Sequence, residues 1–278
     1  MPFNPESAIG EVLGVLAQKG TDPSAANFEC PFTKRTCIKR STLLPGQQYP
    51  VCSIRTNNEG YVCVCPKRFY EVDFLHDVVK CCWPGSVPPK NPQIAPEVTM
   101  RGFGNVDYVI ADVREDGTVD QFLSVELQAI DITGSVMKAY AALLKCVDLE
   151  KKPTYGLNWD NVYKRFITQL IRKGYFHHHW GTKIVAVIQD VVYKYICKRF
   201  EFMRTPDVKA ATANIIFVTY RYEADPANSG SHRMVLDVVE GTSHSNLQQA
   251  VLYKEAPSRD AFCDQIKRSL KKRSLKRR

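Results

Sequence analysis

The chain has 278 residues, 44% hydrophobic and 24% charged, the ordinary balance of a globular protein with room for one large domain or two modest ones. No apolar run approaches the ~20 residues needed to cross a bilayer, which excludes a membrane-spanning helix. The net charge of +9 is unevenly placed: the last twelve residues, KRSLKKRSLKRR, carry eight basic and no acidic side chains, and residues 30–68 carry seven basic side chains against Glu59. The remainder is therefore mildly acidic, and two basic segments point to a polyanion bound at defined surfaces. The opening MPFNPESAIGEVLG lacks the basic-then-apolar order of a signal peptide, so a cytoplasmic protein is expected. Its ten cysteines are then not expected to form a disulfide framework.

In chain order, a first helix is predicted over residues 5–19, with Asn4 as cap, Pro5 in the first turn and Gly20 as the stop. Residues 21–65 show no sustained period and hold five cysteines, which suits a small metal-stapled module. A helix is predicted to open at Pro66, with Phe69, Val72, Leu75 and Val79 on one face, and to end before Trp83. Five prolines in residues 84–96 read as a linker or extended connection. Strands follow at 97–101, 104–113 and 121–130, the last two joined at Asp116-Gly117, a strong hairpin signal. Helices are predicted at 133–148 and 158–174, the second capped by Asn158. KIVAVI (183–188) reads as a fully buried, parallel strand. A short helix (190–201), strands at 214–222 and 233–239, and one or two terminal helices complete a mixed sheet with helices on its faces.

Within the hairpin, Asp107 opens an otherwise apolar strand, and Glu126 and Gln128 share a face of the next by period-two alternation. Two carboxylates buried together cost several kcal/mol unless a cation lies between them. Hard oxygen donors in a small site point to Mg2+, which takes one or two protein carboxylates plus waters and substrate phosphate. Asp107 and Glu126 are the expected ligands.

The cysteine spacing is Cys30-x6-Cys37-x14-Cys52-x10-Cys63-x-Cys65. Four thiolates around one zinc or iron are the natural outcome for such a segment, and Cys63 and Cys65 could not easily both serve one ion. The module's cations, with Lys34, Arg35, Lys39, Arg40, Lys67 and Arg68 foremost, make it the expected DNA-contacting element. His177, His178 and His179 are consecutive and cannot converge in one regular element, so they are read as surface or backbone-contacting groups. Cys81, Cys82, Cys146, Cys197 and Cys263 are read as buried small apolar residues.

An Asp on one strand, a hairpin and Glu-x-Gln on the next resembles the PD-(D/E)XK nuclease core, whose last position is usually Lys but is Gln or Glu in several restriction endonucleases. More narrowly, the chain resembles the NotI restriction endonuclease family. The matching stretches are CPF, CIK, VCS, CPKR, NVDYVIADV, VELQAIDITGS, NVYKRF and IIFV, in the same order, from residue 30 to about 225. The resemblance implies a mixed α/β PD-(D/E)XK fold with a four-cysteine module in residues 1–65 and a nuclease domain with a basic tail in residues 66–278. It matches Asp107, Glu126 and Gln128 to the catalytic strand residues and Glu97 to a further acidic residue; Gln128, in the usual lysine place and unable to act as a base at neutral pH, would position the attacking water. It favours Cys65 over Cys63, giving Cys30, Cys37, Cys52 and Cys65 as ligands of one iron or zinc. The implied function is that of a bacterial type II restriction endonuclease, cutting double-stranded DNA with Mg2+ at a GC-rich palindrome. A homodimer and a cognate DNA methyltransferase go with that function. A repair or recombination nuclease of the same fold, and a metal-stapled DNA-binding protein without catalysis, are the alternatives.

Overall fold

A computed structural model describes residues 2–40, 46–253 and 258–275. The N-terminal segment departs from the predicted helix. After a single 3-10 turn (Pro5–Ser7) it forms β1 (Ile9–Val12) and β2 (Val15–Leu16). Leu13 and Gly14 take positive φ (49° and 76°), which turns the chain back on itself where a helix would have continued. Gly10 is packed so tightly that a Cβ there would lie 2.5 Å from Ser53 Oγ. A short hairpin, β3 (Glu29–Cys30) and β4 (Arg35–Thr36), precedes β5 (Val51–Thr56) and β6 (Gly60–Cys63), and a four-stranded sheet forms in the order β2-β1-β5-β6.

From Pro66 the chain makes a 3-10 stretch (Pro66–Glu71), and α1 (Phe74–Cys82) starts only where the Asp73 side chain accepts from the His76 N–H at 3.1 Å. The proline-rich connection gives residues 93–96 to β7 (Gln93–Met100). Pro96 is tolerated because β7 is the sheet's edge. The hairpin of β8 (Gly104–Val113) and β9 (Val119–Gln128) forms around Asp116 and Gly117 as expected, with Gly117 at φ 83°. The region predicted as helix 133–148 divides into β10 (Ile132–Gly134), which pairs with β11 (Tyr155–Leu157), and α2 (Met137–Leu144). Asn158 caps α3 (Trp159–Asn161), whose helical path passes through a π stretch (Val162–Ile167) into α4 (Thr168–His179), beyond the predicted end at 174.

The rest comprises β12 (Lys183–Gln189), α5 (Asp190–Phe200), β13 (Ile215–Ala224), β14 (His232–Thr242), α6 (His244–Leu252) and α7 (Arg259–Leu275). The large sheet has the order β14-β13-β12-β9-β8-β7, with β9, β12 and β13 parallel and the flanking strands antiparallel. Every residue of β12 is buried, as the unbroken apolar run predicted. Ile184, Ala186, Ile188 and Phe217 pack into one cluster with residues of α4 and α5, and Ile9, Val51, Ile54 and Val62 of the small sheet belong to that same cluster, across the expected boundary at 65/66. Val185, Val187, Leu123 and Val125 face the opposite cluster, with Phe69, Phe74 and Val78. Of the five cysteines expected as buried apolar residues, Cys82 is buried, Cys81, Cys197 and Cys263 are half-buried and Cys146 is exposed. Among the described residues no helix is long and apolar enough to cross a membrane.

Candidate active site

The β8–β9 ladder sets Tyr108 opposite Val125 and Ile110 opposite Leu123, and these side chains turn into the cluster beneath α1. By alternation Asp107 and Glu126 turn to the other face, side by side. Asp107 Oδ2 accepts the Leu127 N–H at 2.7 Å, which fixes this carboxylate at the point where β9 ends. Glu126 forms an ion pair through Oε1 with Lys173 of α4, whose side chain is 3% exposed; Lys173 Nζ also donates to Asn105 O at 2.6 Å. Burial pushes the Glu126 carboxyl up to about 7, with the Asp107 charge adding to the rise and Lys173 opposing it.

Glu97 occupies the step between the ladder pairs Pro96–Tyr108 and Val98–Val106, so it stands opposite Asp107. Its φ of 52° lies in the left-handed region, which costs a non-glycine residue roughly 1–2 kcal/mol and interrupts the edge strand there. Glu97 and Asp107 line one cavity of about 400 Å3 together with Lys67, Tyr70, Tyr108 and Leu127. Backbone strain of this kind is held where surrounding contacts over-determine it, and functional sites are where it gathers. Glu126 and Gln128 share a strand face and neither lines this cavity; the Gln128 amide donates to Ala129 O, back along its own chain.

The sequence reading missed the contribution of α4. Leu170, Lys173, Gly174 and His177 are its buried residues, at the i, i+3, i+4, i+7 spacing of a core-facing stripe. A lysine on such a stripe was the signal available. Gly174 lets the helix approach the sheet, since a Cβ there would lie 2.7 Å from Ile215 Cγ1; Asn214 Nδ2 donates to Gly174 O at 2.6 Å. His177 bonds the Lys173 carbonyl through Nδ1 (2.7 Å) and Ser124 Oγ through Nε2 (2.8 Å). A carbonyl only accepts, so Nδ1 carries the proton and Nε2 accepts from the serine. Burial pushes its pKa down to about 4, so this ring is neutral at physiological pH, while His178 and His179 are exposed.

Among the six named cations, Lys34, Arg35, Arg40 and Lys67 are exposed, and Lys67 Nζ reaches Tyr70 Oη at 3.1 Å on the cavity rim. Lys39 turns inward to the carbonyls of Val51 and Val64. Arg68 does not fit a DNA contact. It is fully buried, paired with Glu11 (3.0 Å) and Glu71 (2.5 Å), donates to His232 O at 2.6 Å and lies over the rings of Phe32 and Tyr222. Burial works against its charge, and the neighbouring Tyr222 and Glu11 outweigh that and hold its proton more firmly.

Cys30, Cys37, Cys52 and Cys65 line one cavity of about 940 Å3 that adjoins the carboxylate pocket through Pro66, Lys67, Tyr70, Pro96 and Tyr108. Cys63 does not line it and packs in the core beneath α1. Burial raises the thiol pKa of Cys37 and Cys52, with nearby cysteines adding to it. Yet among the described residues no group of three or more His, Cys, Asp or Glu side chains could hold a metal ion. The expected iron or zinc centre is therefore not supported by this arrangement: the four thiols share a cavity without closing on a common point. The carboxylate pair meets a lesser demand, because Mg2+ needs only one or two protein carboxylates. Asp107 Oδ1 and Glu126 Oε2 accept no hydrogen bond among the described residues, so the donor set fits that ion.

The family model described as Restriction endonuclease NotI matches residues 14–234. No curated protein matches the chain.

Proposed function

The chain belongs to the NotI restriction endonuclease family, a family of site-specific deoxyribonucleases, and on that premise we propose a type II enzyme that hydrolyses phosphodiester bonds of double-stranded DNA with Mg2+ at a PD-(D/E)XK-type centre. The observation that carries the proposal is the convergence of Asp107 and Glu126 at the ends of β8 and β9, beside a cavity rimmed by Glu97 and Lys67. Asp107 and Glu126 would hold the ion. When bound it would neutralise charge on the scissile phosphate and lower the pKa of the attacking water. Asp107 is oriented for this by the Leu127 N–H, and Glu97 orients water in the cavity. Lys67 is placed to meet a DNA phosphate, a contact that positions the duplex without reading its sequence. Gln128 donates through Nε2 to its own backbone and keeps its amide oxygen to position the attacking water. A homodimer fits a palindromic site cut on both strands, and a cognate methyltransferase would protect the host's own sites.

The test is Mg2+-dependent digestion of plasmid DNA. Discrete fragments are expected from the native protein, and none from Asp107→Ala or Glu126→Ala, both of which still bind DNA in a gel shift. Full activity in either variant overturns the assignment. Structure-selective nicking would indicate a repair nuclease, and binding without cleavage a non-catalytic protein.

A further inference from the structure

We infer that the cation of this active site is Lys173, delivered by α4, and that it acts as a positioning residue holding the Glu126 carboxylate beside Asp107. The inference rests on the reading of Asp107 and Glu126 as the catalytic pair. Three observations on the helix carry it. Lys173 occupies a core-facing position of α4, where an aliphatic side chain would bury at less cost than an ammonium. Its Nζ is tied at two points, to Asn105 O at the start of β8 and to Glu126 Oε1 near the end of β9, so it bridges the two strands that bear the carboxylates. The helix itself is registered on the sheet: His177 bonds Ser124, two residues before Glu126 on the same strand face, and Gly174 sits against Ile215 with its carbonyl held by Asn214.

The pair is also left open. Glu126 uses Oε1 for the lysine and keeps Oε2 free of hydrogen bonds among the described residues, so the same carboxylate can be oriented from one side and serve a ligand from the other. Gln128 makes no such contact, and its amide carries no charge. The positive group therefore comes from a helix 47 residues further along the chain than the carboxylate it holds.

The experiment is steady-state cleavage of a DNA carrying the site, with Mg2+, by the full chain and by Lys173→Met and Lys173→Arg. Loss of positioning lowers kcat about 100-fold in Lys173→Met while KM for DNA is unchanged, the pattern of a group acting only in the chemical step. Lys173→Arg recovers part of the rate because a cation is restored. A lysine needed only for packing would not be rescued by arginine. If Lys173→Met does not fold, Lys173→Gln, a shorter polar side chain without the charge, shows the same loss in kcat. Native kcat in the variant that folds, a rise in KM alone, or no recovery in a folded Lys173→Arg refutes the inference. An inactive Asp107→Ala beside a fully active Lys173 variant removes only this inference; an active Asp107→Ala removes the underlying reading.

Discussion

Replacing Glu11 with Gln isolates the charge of the buried pair that takes Arg68 out of reach of DNA. Both side chains are 0% exposed, and the Glu11 carboxylate accepts from Arg68 Nε (3.2 Å), Arg68 Nη2 (3.0 Å) and Tyr222 Oη (2.8 Å). Glutamine keeps the shape and still accepts from Tyr222, but leaves the guanidinium with Glu71 as its sole anion. Removing one partner of a buried pair costs about 3–5 kcal/mol, and because Glu71 remains at 2.5 Å the lower end, about 3 kcal/mol, is expected. For a chain of this size that is a fall in Tm of roughly 6–12 °C. Urea unfolding measures it directly, as a lower midpoint at unchanged slope. Adding Arg68→Met to Glu11→Gln recovers most of the loss, since no unpaired charge is then buried. A Glu11→Gln protein within about 0.5 kcal/mol of the native one refutes the reasoning. So does an Arg68→Met variant that keeps its stability and loses DNA affinity, because Arg68 would then reach the duplex.

Two further outcomes follow from the site. The Glu126 carboxyl is raised from 4.5 to about 7 in the folded state, so its contribution to the stability of the metal-free protein is present in full below pH 4.5 and is lost as pH rises through 7. The difference between pH 5 and pH 8 amounts to about 3 kcal/mol, and Glu126→Gln removes it from the urea midpoints; equal pH dependence in the two proteins would count against the shift. At limiting Mg2+ the sign reverses for activity: cleavage falls as pH drops through 7, and added Mg2+ restores it by competing with the proton. Gly174→Ala places a methyl 2.7–2.8 Å from Ile215 Cγ1 and Cδ1, an overpacking cost of about 1–3 kcal/mol by thermal unfolding. Ile215→Val in the same chain relieves part of that cost, and a Gly174→Ala protein as stable as the native one would mean that α4 does not sit so close.

The hairpin at Asp116-Gly117, the buried run of β12 and the Asn158 cap were legible because each is a local pattern: a turn dipeptide, an unbroken apolar stretch, a polar residue before a helix. Alternation gave Glu126 and Gln128 one strand face, and the ladder register of the folded hairpin set Asp107 beside Glu126 on it. Residues 5–19 were misread because Ile9, Val12, Leu13 and Leu16 fit a helical stripe, whereas Gly10 and Gly14 are set by contacts with Ser53 and Phe32 elsewhere in the chain. Gln128 shows the same limit on a smaller scale: alternation assigned its strand face, and its amide found a partner on the neighbouring backbone.

By itself the sequence determined where the strands and the turn of the β8–β9 hairpin fall and that Glu126 and Gln128 lie on one face, since alternation and turn chemistry act over a few residues. Only the tertiary structure decided which charges meet. Arg68 and Glu11 are 57 residues apart and Lys173 and Glu126 are 47 apart, so no local pattern couples them. A basic side chain reads the same in a sequence whether it will face a phosphate or be buried against a carboxylate. The choice is made when packing removes water from one of those environments and leaves the ion pair, with its carbonyl hydrogen bonds, to compensate for desolvation.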